Sequence, residues 1–150
     1  MFHGTFPQTI DSKGRVSIPA KFREVLNHLK NQNIMMAHFT MDGFNCIDVY
    51  PIAEWEQLAE KIQNQNQFDP NLVWFQTFYV GGACDYEVDP QGRILIPPAL
   101  RDEAGLKRNI VLSGALKKFR IFDREAYDLA KANAKEKLMS DPSQLKNLGF

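Results

Sequence analysis

Fourteen residues near the start of this 150-residue chain read Ile10-Asp11-Ser12-Lys13-Gly14-Arg15-Val16-Ser17-Ile18-Pro19-Ala20-Lys21-Phe22-Arg23. The stretch returns 78 positions later as Val88-Asp89-Pro90-Gln91-Gly92-Arg93-Ile94-Leu95-Ile96-Pro97-Pro98-Ala99-Leu100-Arg101. Six residues are identical at matched positions, since Asp11, Gly14, Arg15, Ile18, Pro19 and Arg23 recur as Asp89, Gly92, Arg93, Ile96, Pro97 and Arg101. A match at one constant offset indicates an internal duplication. The sequence therefore predicts two copies of one structural unit.

Each copy predicts a turn with a strand on either side. The Asp-x-x-Gly pattern, at Asp11–Gly14 and again at Asp89–Gly92, is typical of a type I turn in which the aspartate caps the turn and the glycine accepts a positive φ. Apolar residues before and after each turn predict strands, so we expect a β-hairpin in each copy. Pro19 and Pro97 should end the second strand and begin a short helix, because proline suits the first helical turn.

The similarity between the copies continues downstream, where the loops differ in length. It predicts strands at 34–39 and 46–50 in the first copy and at 110–113 and 119–122 in the second. Helical patterns cover 51–62, the stretch from Asp69-Pro70 towards Gly81, and residues 123 or 124 to about 139, and a polar tail at 140–150 is expected to be irregular. We therefore expect four segments: a first repeat at 5–51, a helical linker at 52–79, a second repeat at 80–124, and a C-terminal helix and tail at 125–150.

Composition excludes several classes of protein. Hydrophobic residues make up 44% of the chain and charged residues 24%, which is ordinary for a globular protein. The two cysteines, Cys46 and Cys84, cannot build a disulfide scaffold, and neither lies at metal-ligand spacing from a histidine. No apolar run approaches the ~18 residues that a membrane span needs, and the N-terminus lacks the apolar stretch of a signal peptide. We therefore expect a cytoplasmic protein with no cofactor and no metal.

The net charge of zero hides a segregation of charge along the chain. Residues 1–30 carry five basic and two acidic side chains, residues 31–90 carry one and nine, and residues 91–150 carry twelve and seven. Basic patches attract nucleic acid even when the whole protein is neutral. The acidic middle would repel DNA, so we expect it to lie away from DNA or at a subunit interface.

Few residues are placed to carry chemistry. The sequence contains no triad signature, phosphate-binding loop, dinucleotide fingerprint or zinc-protease motif, so we expect no enzymatic activity. Asp11 and Asp89 occupy the first positions of two matched turns, which favours a capping role over a catalytic pair of carboxylates.

Arg15 and Arg93 follow the two turn glycines and are the strongest candidates for ligand contact. A guanidinium held at such a position matches a phosphate or a guanine edge with two hydrogen bonds. Lys13 adds a charge at the tip of the first turn, and Lys21 and Arg23 on the following helix are expected to extend this patch. Alternatively, the two arginines only pair with the aspartates of their own turns.

The two motif copies, the start Met1-Phe2-His3-Gly4 and the chain length together resemble the MraZ family of bacterial transcriptional regulators. Each half is similar to the SpoVT/AbrB type of swapped-hairpin DNA-binding domain. The resemblance implies an α+β fold in which two tandem AbrB-like units form a pseudo-dimeric, β-barrel-like core, with a helical linker and a C-terminal helix. The sequence departs from the family pattern in one respect, since His3 replaces a basic residue often found between Phe2 and Gly4.

The resemblance also implies a function and an assembly. Family members act mainly as repressors of their own operon, the division and cell-wall gene cluster, and bind short direct repeats in the promoter as ring-shaped homo-oligomers at the nucleoid. The implied partners are double-stranded DNA and further copies of the chain, with no membrane and no small-molecule substrate. We predict DNA contacts by Lys13, Arg15, Lys21, Arg23 and Arg93, chiefly through the first turn. We predict structural roles in the repeats for Asp11, Gly14, Pro19, Asp89, Gly92, Pro97 and Arg101.

Two hypotheses of different classes remain open at this point. The first is a sequence-specific DNA-binding regulator, and the second is a structural or protein-interaction module whose arginines serve only the turns. The repeats present strand edges and apolar helices that 150 residues need not fully cover, and a closed homo-oligomer would bury them. We expect the uncovered apolar residues to be Trp55, Leu58, Ile62, Leu72, Val73 and Phe75.

Overall fold

A computed structural model describes residues 1–149 of the chain, which form an α+β fold as expected. The elements of the first half are β1 (Thr5–Thr9), β2 (Arg15–Ser17), α1 (Ala20–His28), β3 (Asn33–Met41), β4 (Phe44–Pro51), α2 (Ile52–Gln63) and α3 (Pro70–Phe75), and α3 continues into a π-helical turn (Gln76–Val80). Those of the second half are β5 (Cys84–Glu87), β6 (Arg93–Leu95), α4 (Pro98–Glu103), β7 (Asn109–Ala115), β8 (Lys118–Asp123), α5 (Arg124–Ser140) and a 3₁₀ helix (Pro142–Leu148). The order strand, strand, helix, strand, strand, helix is thus the same in both halves.

The strands pair largely between the two copies. A six-stranded antiparallel sheet has the order β1-β7-β8-β4-β3-β5, so the first strand of each copy pairs with the third strand of the other. A second, two-stranded sheet joins β2 to β6. The predicted local hairpins are therefore wrong, because the two strands beside each turn diverge to partners in the other copy. Ile10 N–H donates to the Arg108 carbonyl, and Ile18 N–H donates to the Gly92 carbonyl.

Two residue pairs mark the centre of the relation between the copies. Val16 lies opposite Ile94 in the ladder of β2 and β6, and these residues occupy matched positions of the repeat. Asp48 likewise lies opposite Arg120 in the ladder of β4 and β8. A residue that faces its own counterpart lies on the axis of a pseudo-two-fold rotation. The two turns are therefore related by this rotation, with one at each end of the short ladder of β2 and β6.

An aromatic cluster forms the centre of the main hydrophobic core. The ring centroids of Phe2 and Phe22 lie 5.4 Å apart, those of Phe22 and Phe119 lie 4.9 Å apart, and all three side chains are fully buried. The chain start is held there because Phe2 forms a β-bridge with Leu116. The backbone of His3 then runs so close to Gly114 that a Cβ at that glycine would collide with it. Burial of Phe2 and its bridge to Leu116 join the N-terminus to the second copy.

The helices follow the sequence signals, with two corrections. Both α1 and α4 begin directly after the motif prolines, and Asp69 caps α3 by accepting a hydrogen bond from the Asn71 N–H at 2.9 Å. Trp55 and Ile62, expected to be uncovered, are instead buried. Trp55 packs with Tyr50 and Tyr79 in a second, smaller core that α2 and the π-helical turn close, and Ile62 lies beside Val80 at the edge of that turn. Leu58, Leu72 and Phe75 are half-buried, and Val73 is exposed as expected.

The tail expected to be irregular is the second correction. It forms the 3₁₀ helix at Pro142–Leu148, where Asp141 accepts a hydrogen bond from the Ser143 N–H at 3.2 Å. Residue 150 lies outside the described residues. In the part of the chain that the structure describes, no helix has the length and apolar character needed to cross a bilayer. Over the same residues, no three or more His, Cys, Asp or Glu side chains gather in a metal-binding arrangement.

Candidate nucleic-acid interface

The two-stranded ladder of β2 and β6 presents one face to the core and one to the outside. Val16 and Ile94 are buried on the inner face, and the period of two along a strand directs their neighbours outward. The outer face consequently displays Arg15 and Arg93, each of which is half-buried. The turns lie about 13 Å apart, since four residues separate them along the ladder at roughly 3.3 Å each. A small ribbon with two arginines is thus the exposed centre of the duplicated motif.

The first turn holds Arg15 in a defined position. The carboxylate of Asp11 accepts hydrogen bonds from the backbone N–H of Lys13 and of Arg15, both at 2.9 Å, and from the Arg15 Nε at 2.7 Å. These bonds, led by the one from the Arg15 backbone, lower the pKa of Asp11 from 3.8 to about 2. The aspartate therefore stays ionised as the pH falls through 4, and the turn loses this cap only as the pH approaches 2.

The second turn repeats this geometry. Asp89 accepts hydrogen bonds from the backbone N–H of Gln91 and Arg93, both at 2.9 Å, and from the Arg93 Nε at 3.2 Å. The bond from the Arg93 backbone is the largest cause that lowers the pKa of Asp89. The turn-pairing role that the sequence allowed for both arginines is therefore present in the structure.

That role leaves most of each guanidinium unused. Within residues 1–149, Arg15 and Arg93 give only their Nε–H to the turn aspartate, and neither terminal amino group has a hydrogen bond to the protein. The Arg15 side chain is 38% exposed and the Arg93 side chain 33% exposed. Each aspartate thus orients its arginine while the two terminal amino groups stay available for a ligand that accepts two parallel hydrogen bonds. Turn pairing and ligand contact are compatible in this arrangement.

The helix after each turn reaches the turn of the other copy. A Cβ placed on Gly92 would collide with the Arg23 side chain, and one placed on Gly14 would lie 3.8 Å from the Arg101 Nη1. The expectation that Lys21 and Arg23 extend the first-turn patch is therefore wrong. The reason is the strand exchange, because Ile18 N–H bonds to the Gly92 carbonyl and so α1 starts beside the second turn.

The remaining cations follow from this crossing. Lys21 lines a separate recess with His3 and His28. The first turn is instead accompanied by Arg101, Lys107 and Arg108 of the second copy, which border a groove together with Asp11 and Ser12. Sequence reasoning gave Arg101 only a structural role and missed Lys107 and Arg108. The signal that points to them is the strand exchange itself, which the offsets in the sequence do not reveal.

Comparisons with known proteins agree with this duplicated architecture. The family model described as "MraZ protein, putative antitoxin-like" matches residues 1–73 and 79–147. This chain belongs to the MraZ family. The protein named "Transcriptional regulator MraZ" of Nitrosospira multiformis is 39% identical over 134 residues, which cover 89% of each chain. Those of the same name from Natranaerobius thermophilus and Coxiella burnetii are 40% identical over 85% of each chain and 34% identical over the full length of both.

A polar cluster that the sequence reasoning did not predict lies on the pseudo-two-fold axis of this MraZ-family chain. Asp48 is 1% exposed and accepts hydrogen bonds from the Arg120 Nε at 2.8 Å and the Tyr79 hydroxyl at 2.6 Å. Lys118 Nζ lies 3.5 Å from the same carboxylate and donates to the Tyr50 hydroxyl at 2.8 Å. Burial raises the pKa of Tyr79, so its phenol remains a hydrogen-bond donor. The cluster joins both copies and the linker in one network.

The two turn glycines should differ in their tolerance of a side chain. Gly14 has a φ of +87°, and a Cβ there would lie 2.7 Å from the Ile96 carbonyl oxygen, which the pairing of β2 with β6 holds in place. Gly92 has a φ of +76°, and the atoms nearest to its added Cβ belong to the Arg23 side chain, which can shift more readily than a backbone carbonyl. We expect Gly92→Ala to cost about 1–2 kcal/mol from backbone strain and Gly14→Ala to cost clearly more.

Urea denaturation monitored by circular dichroism measures this difference. Gly43→Ala is the control, because Gly43 has a φ of +80° with no atom within 4 Å of an added Cβ and therefore reports strain alone. A Gly14→Ala protein that is no less stable than the Gly43→Ala protein would contradict the described contact between the first turn and β6.

Proposed function

We propose that this protein is a sequence-specific, DNA-binding transcriptional regulator, as the names of its relatives suggest. The observation that carries the proposal is the outward ribbon on which Asp11 and Asp89 orient Arg15 and Arg93 with their terminal amino groups free. The major groove of B-DNA admits a two-stranded β-ribbon, and an arginine fork reads guanine there through two hydrogen bonds. Residues Lys13 and Arg15 of the first turn are the principal contacts.

The finer parts of the proposal come from the family. The protein represses its own operon, the division and cell-wall gene cluster, by binding short direct repeats in the promoter, and it acts in the cytoplasm at the nucleoid. Two tandem AbrB-like units form the pseudo-dimeric, swapped-hairpin core, which the pairing of β1 with β7 and of β5 with β3 supports. Under this proposal the domain limits are 5–51, 52–79, 80–124 and 125–150, and no residue has a catalytic role.

The alternative is a protein-interaction module whose motif arginines only stabilise turns. Both arginines form an ion pair with the aspartate of their own turn, and this pairing supports the alternative because it occupies the Nε–H of each arginine. Fluorescence anisotropy with a labelled duplex from upstream of the gene, and with a scrambled duplex of equal length, tests the two functions against each other. A DNA-binding regulator prefers the first duplex and loses affinity steeply with salt, because counterions are released from phosphates. Absence of binding to both duplexes would overturn the proposal.

A ring-shaped homo-oligomer is the assembly that we propose. The support comes from the linker, where Phe68 and Val73 are exposed and the exposed rings of Trp74 and Phe78 stack at 5.8 Å to form an aromatic patch. Monomers rarely leave aromatic side chains grouped in water in this way. The outer edges of β1 and β5, at the two ends of the sheet order, are further surfaces that a second copy can cover.

Light scattering coupled to gel filtration tests the assembly. We expect the wild-type protein to elute as a closed oligomer and the Trp74→Glu/Phe78→Glu protein to elute as a smaller species, because charges on the patch oppose its burial. Leu129→Glu on α5 is the matched control, since Leu129 is 63% exposed and lies outside the patch. A wild-type protein that is monomeric at micromolar concentration would refute the ring. A double variant of unchanged size would show that the patch is not part of the interface between subunits.

A further inference from the structure

Two grooves lie beside the ribbon at positions that the pseudo-two-fold rotation relates. The first groove lies between the first turn and the segment that joins α4 to β7, and Thr9, Ile10, Asp11, Ser12, Arg101, Lys107 and Arg108 border it. The second groove lies between the second turn and the segment that joins α1 to β3, with Arg23, Asn27, Gln32, Glu87 and Asp89 among its residues. Each groove therefore combines the turn of one copy with the helix of the other.

The two grooves carry opposite charge. Arg101, Lys107 and Arg108 outnumber the single carboxylate of Asp11 in the first groove. In the second, Arg23 faces three carboxylates, those of Glu24, Glu87 and Asp89. The difference lies at matched positions of the repeat, because Lys107 and Arg108 replace Asn31 and Gln32, and Thr9 replaces Glu87. Only the first groove thus attracts a polyanion.

The backbone fixes the cationic segment against the first turn. Arg108 accepts a hydrogen bond from Ile10 N–H at 2.9 Å through its carbonyl, and Lys107 N–H donates to the Asp123 carboxylate at 3.0 Å. Both side chains remain exposed. The Lys107 Nζ lies 3.5 Å from Glu125, but both partners are largely in water, where such a pair holds its members weakly. Their charges are therefore positioned by the fold and available to a ligand.

We propose that the first groove binds the phosphate backbone of the DNA whose bases the first turn contacts, through Arg101, Lys107 and Arg108 of the second copy. This inference rests on the proposed function and adds to it that the two copies make different kinds of contact with the DNA. The first copy supplies the arginine fork that reads bases, and the second copy supplies cations that neutralise phosphates. Phosphate contacts position a protein on the duplex and carry no sequence information of their own. The second groove, with its three carboxylates, takes no part.

The test replaces Lys107 and Arg108 with the residues that the first copy has at the matched positions, as the double variant Lys107→Asn/Arg108→Gln. We expect affinity to fall at least tenfold at 0.1 M salt, by the same factor for the promoter duplex and a scrambled duplex. The slope of log affinity against log salt should become shallower by about 1.8, at ~0.9 for each phosphate that is no longer neutralised. Lys131→Gln/Lys135→Gln on α5 is the control for net charge, because both lysines are exposed and lie outside the groove.

Three outcomes separate this inference from the proposed function. A groove variant with the slope of the wild type, or with only the change that the α5 control shows, would overturn the inference. If Arg15→Ala abolishes binding in that case, the proposed function stands without the groove. If the wild-type protein binds neither duplex, the proposed function fails and the groove has no DNA to contact. Circular dichroism of the groove variant and of the α5 control should match the wild type, since all four substituted side chains are exposed.

Discussion

We expect Arg15→Ala to abolish the preference for promoter DNA while the protein keeps its fold and its oligomeric size. The fork of Arg15 offers two free amino groups at the tip of the ribbon, and one bidentate base contact contributes roughly 1–3 kcal/mol of discrimination. That value corresponds to about a five- to 150-fold loss of affinity for each subunit. An assembly that engages several DNA repeats multiplies such losses, because the later contacts form at high effective concentration.

Two matched variants make this result decisive. Arg93→Ala removes the equivalent arginine from a turn with the same geometry, but beside a groove with three carboxylates, and should weaken binding much less. Lys13→Ala should weaken binding to all sequences alike and reduce the salt slope, as removal of a phosphate contact does. Gel shifts, with circular dichroism and gel filtration as controls, measure all three. An Arg15→Ala protein that melts early but binds DNA like the wild type would support the turn-stabilising alternative.

Arg120→Asp should destabilise the protein more than an alanine at either turn glycine. It places a second carboxylate opposite Asp48, which is 1% exposed, and removes the 2.8 Å hydrogen bond that neutralises it. Breaking a buried ion pair from one side costs about 3–5 kcal/mol. For a chain of this size each kcal/mol lowers the melting temperature by roughly 2–4 °C, so we expect a fall of roughly 6–20 °C.

The reciprocal exchange separates charge from packing. Asp48→Arg combined with Arg120→Asp restores opposite charges across the axis, and its loss of stability should be smaller than the sum of the two single losses. Lys137→Asp is the control for an exposed ion pair, since Lys137 and Asp42 lie 2.9 Å apart with more than half of each side chain in water. That variant should change stability by less than about 1 kcal/mol. Equal losses of stability in Arg120→Asp and Lys137→Asp would contradict the role assigned to Asp48 and Arg120, the axis pair on the pseudo-two-fold axis.

The axis pair also explains why the two copies of one chain prefer each other. If two first copies paired, Asp48 would face Asp48 without a counter-charge, and two second copies would set Arg120 against Arg120. Only a first copy with a second copy satisfies both groups. This information was present in the sequence, because the offset of 72 aligns Asp48 with Arg120 inside apolar strands. It could be interpreted as an ion pair only once the structure showed that these two residues face each other.

Much of the fold was predictable because its signals are local. The Asp-x-x-Gly turns, the helices that begin after Pro19 and Pro97, and the Asp69 cap depend on residues a few positions apart. Strand partners depend on contacts between distant segments, and for that reason periodicity favoured a local hairpin where β1 pairs with β7. The predicted fold class was correct in spite of this error, whereas the prediction of which cations lie beside the first turn was wrong.

The candidate site divides in the same way. Asp11, Arg15 and Lys13 belong to one turn, and the sequence placed them together correctly. Arg101, Lys107 and Arg108 reach that turn only through the strand exchange, so no spacing rule could add them to it. Coverage of Trp55 was equally hidden, because the π-helical turn that buries it is about twenty residues further along the chain.

Tethered cleavage of DNA tests most directly whether the first turn meets the duplex. An iron chelate is attached at Ser12→Cys or at the matched Pro90→Cys, both exposed turn positions, in a Cys84→Ser background that leaves only the buried Cys46. Each protein is bound to the promoter duplex, and hydroxyl radicals then cut DNA near the chelate. We predict strong cleavage within the binding site from position 12 and much weaker cleavage from position 90. Equal or stronger cleavage from position 90, or none from position 12 in a fully bound complex, would contradict the first turn as the principal reader.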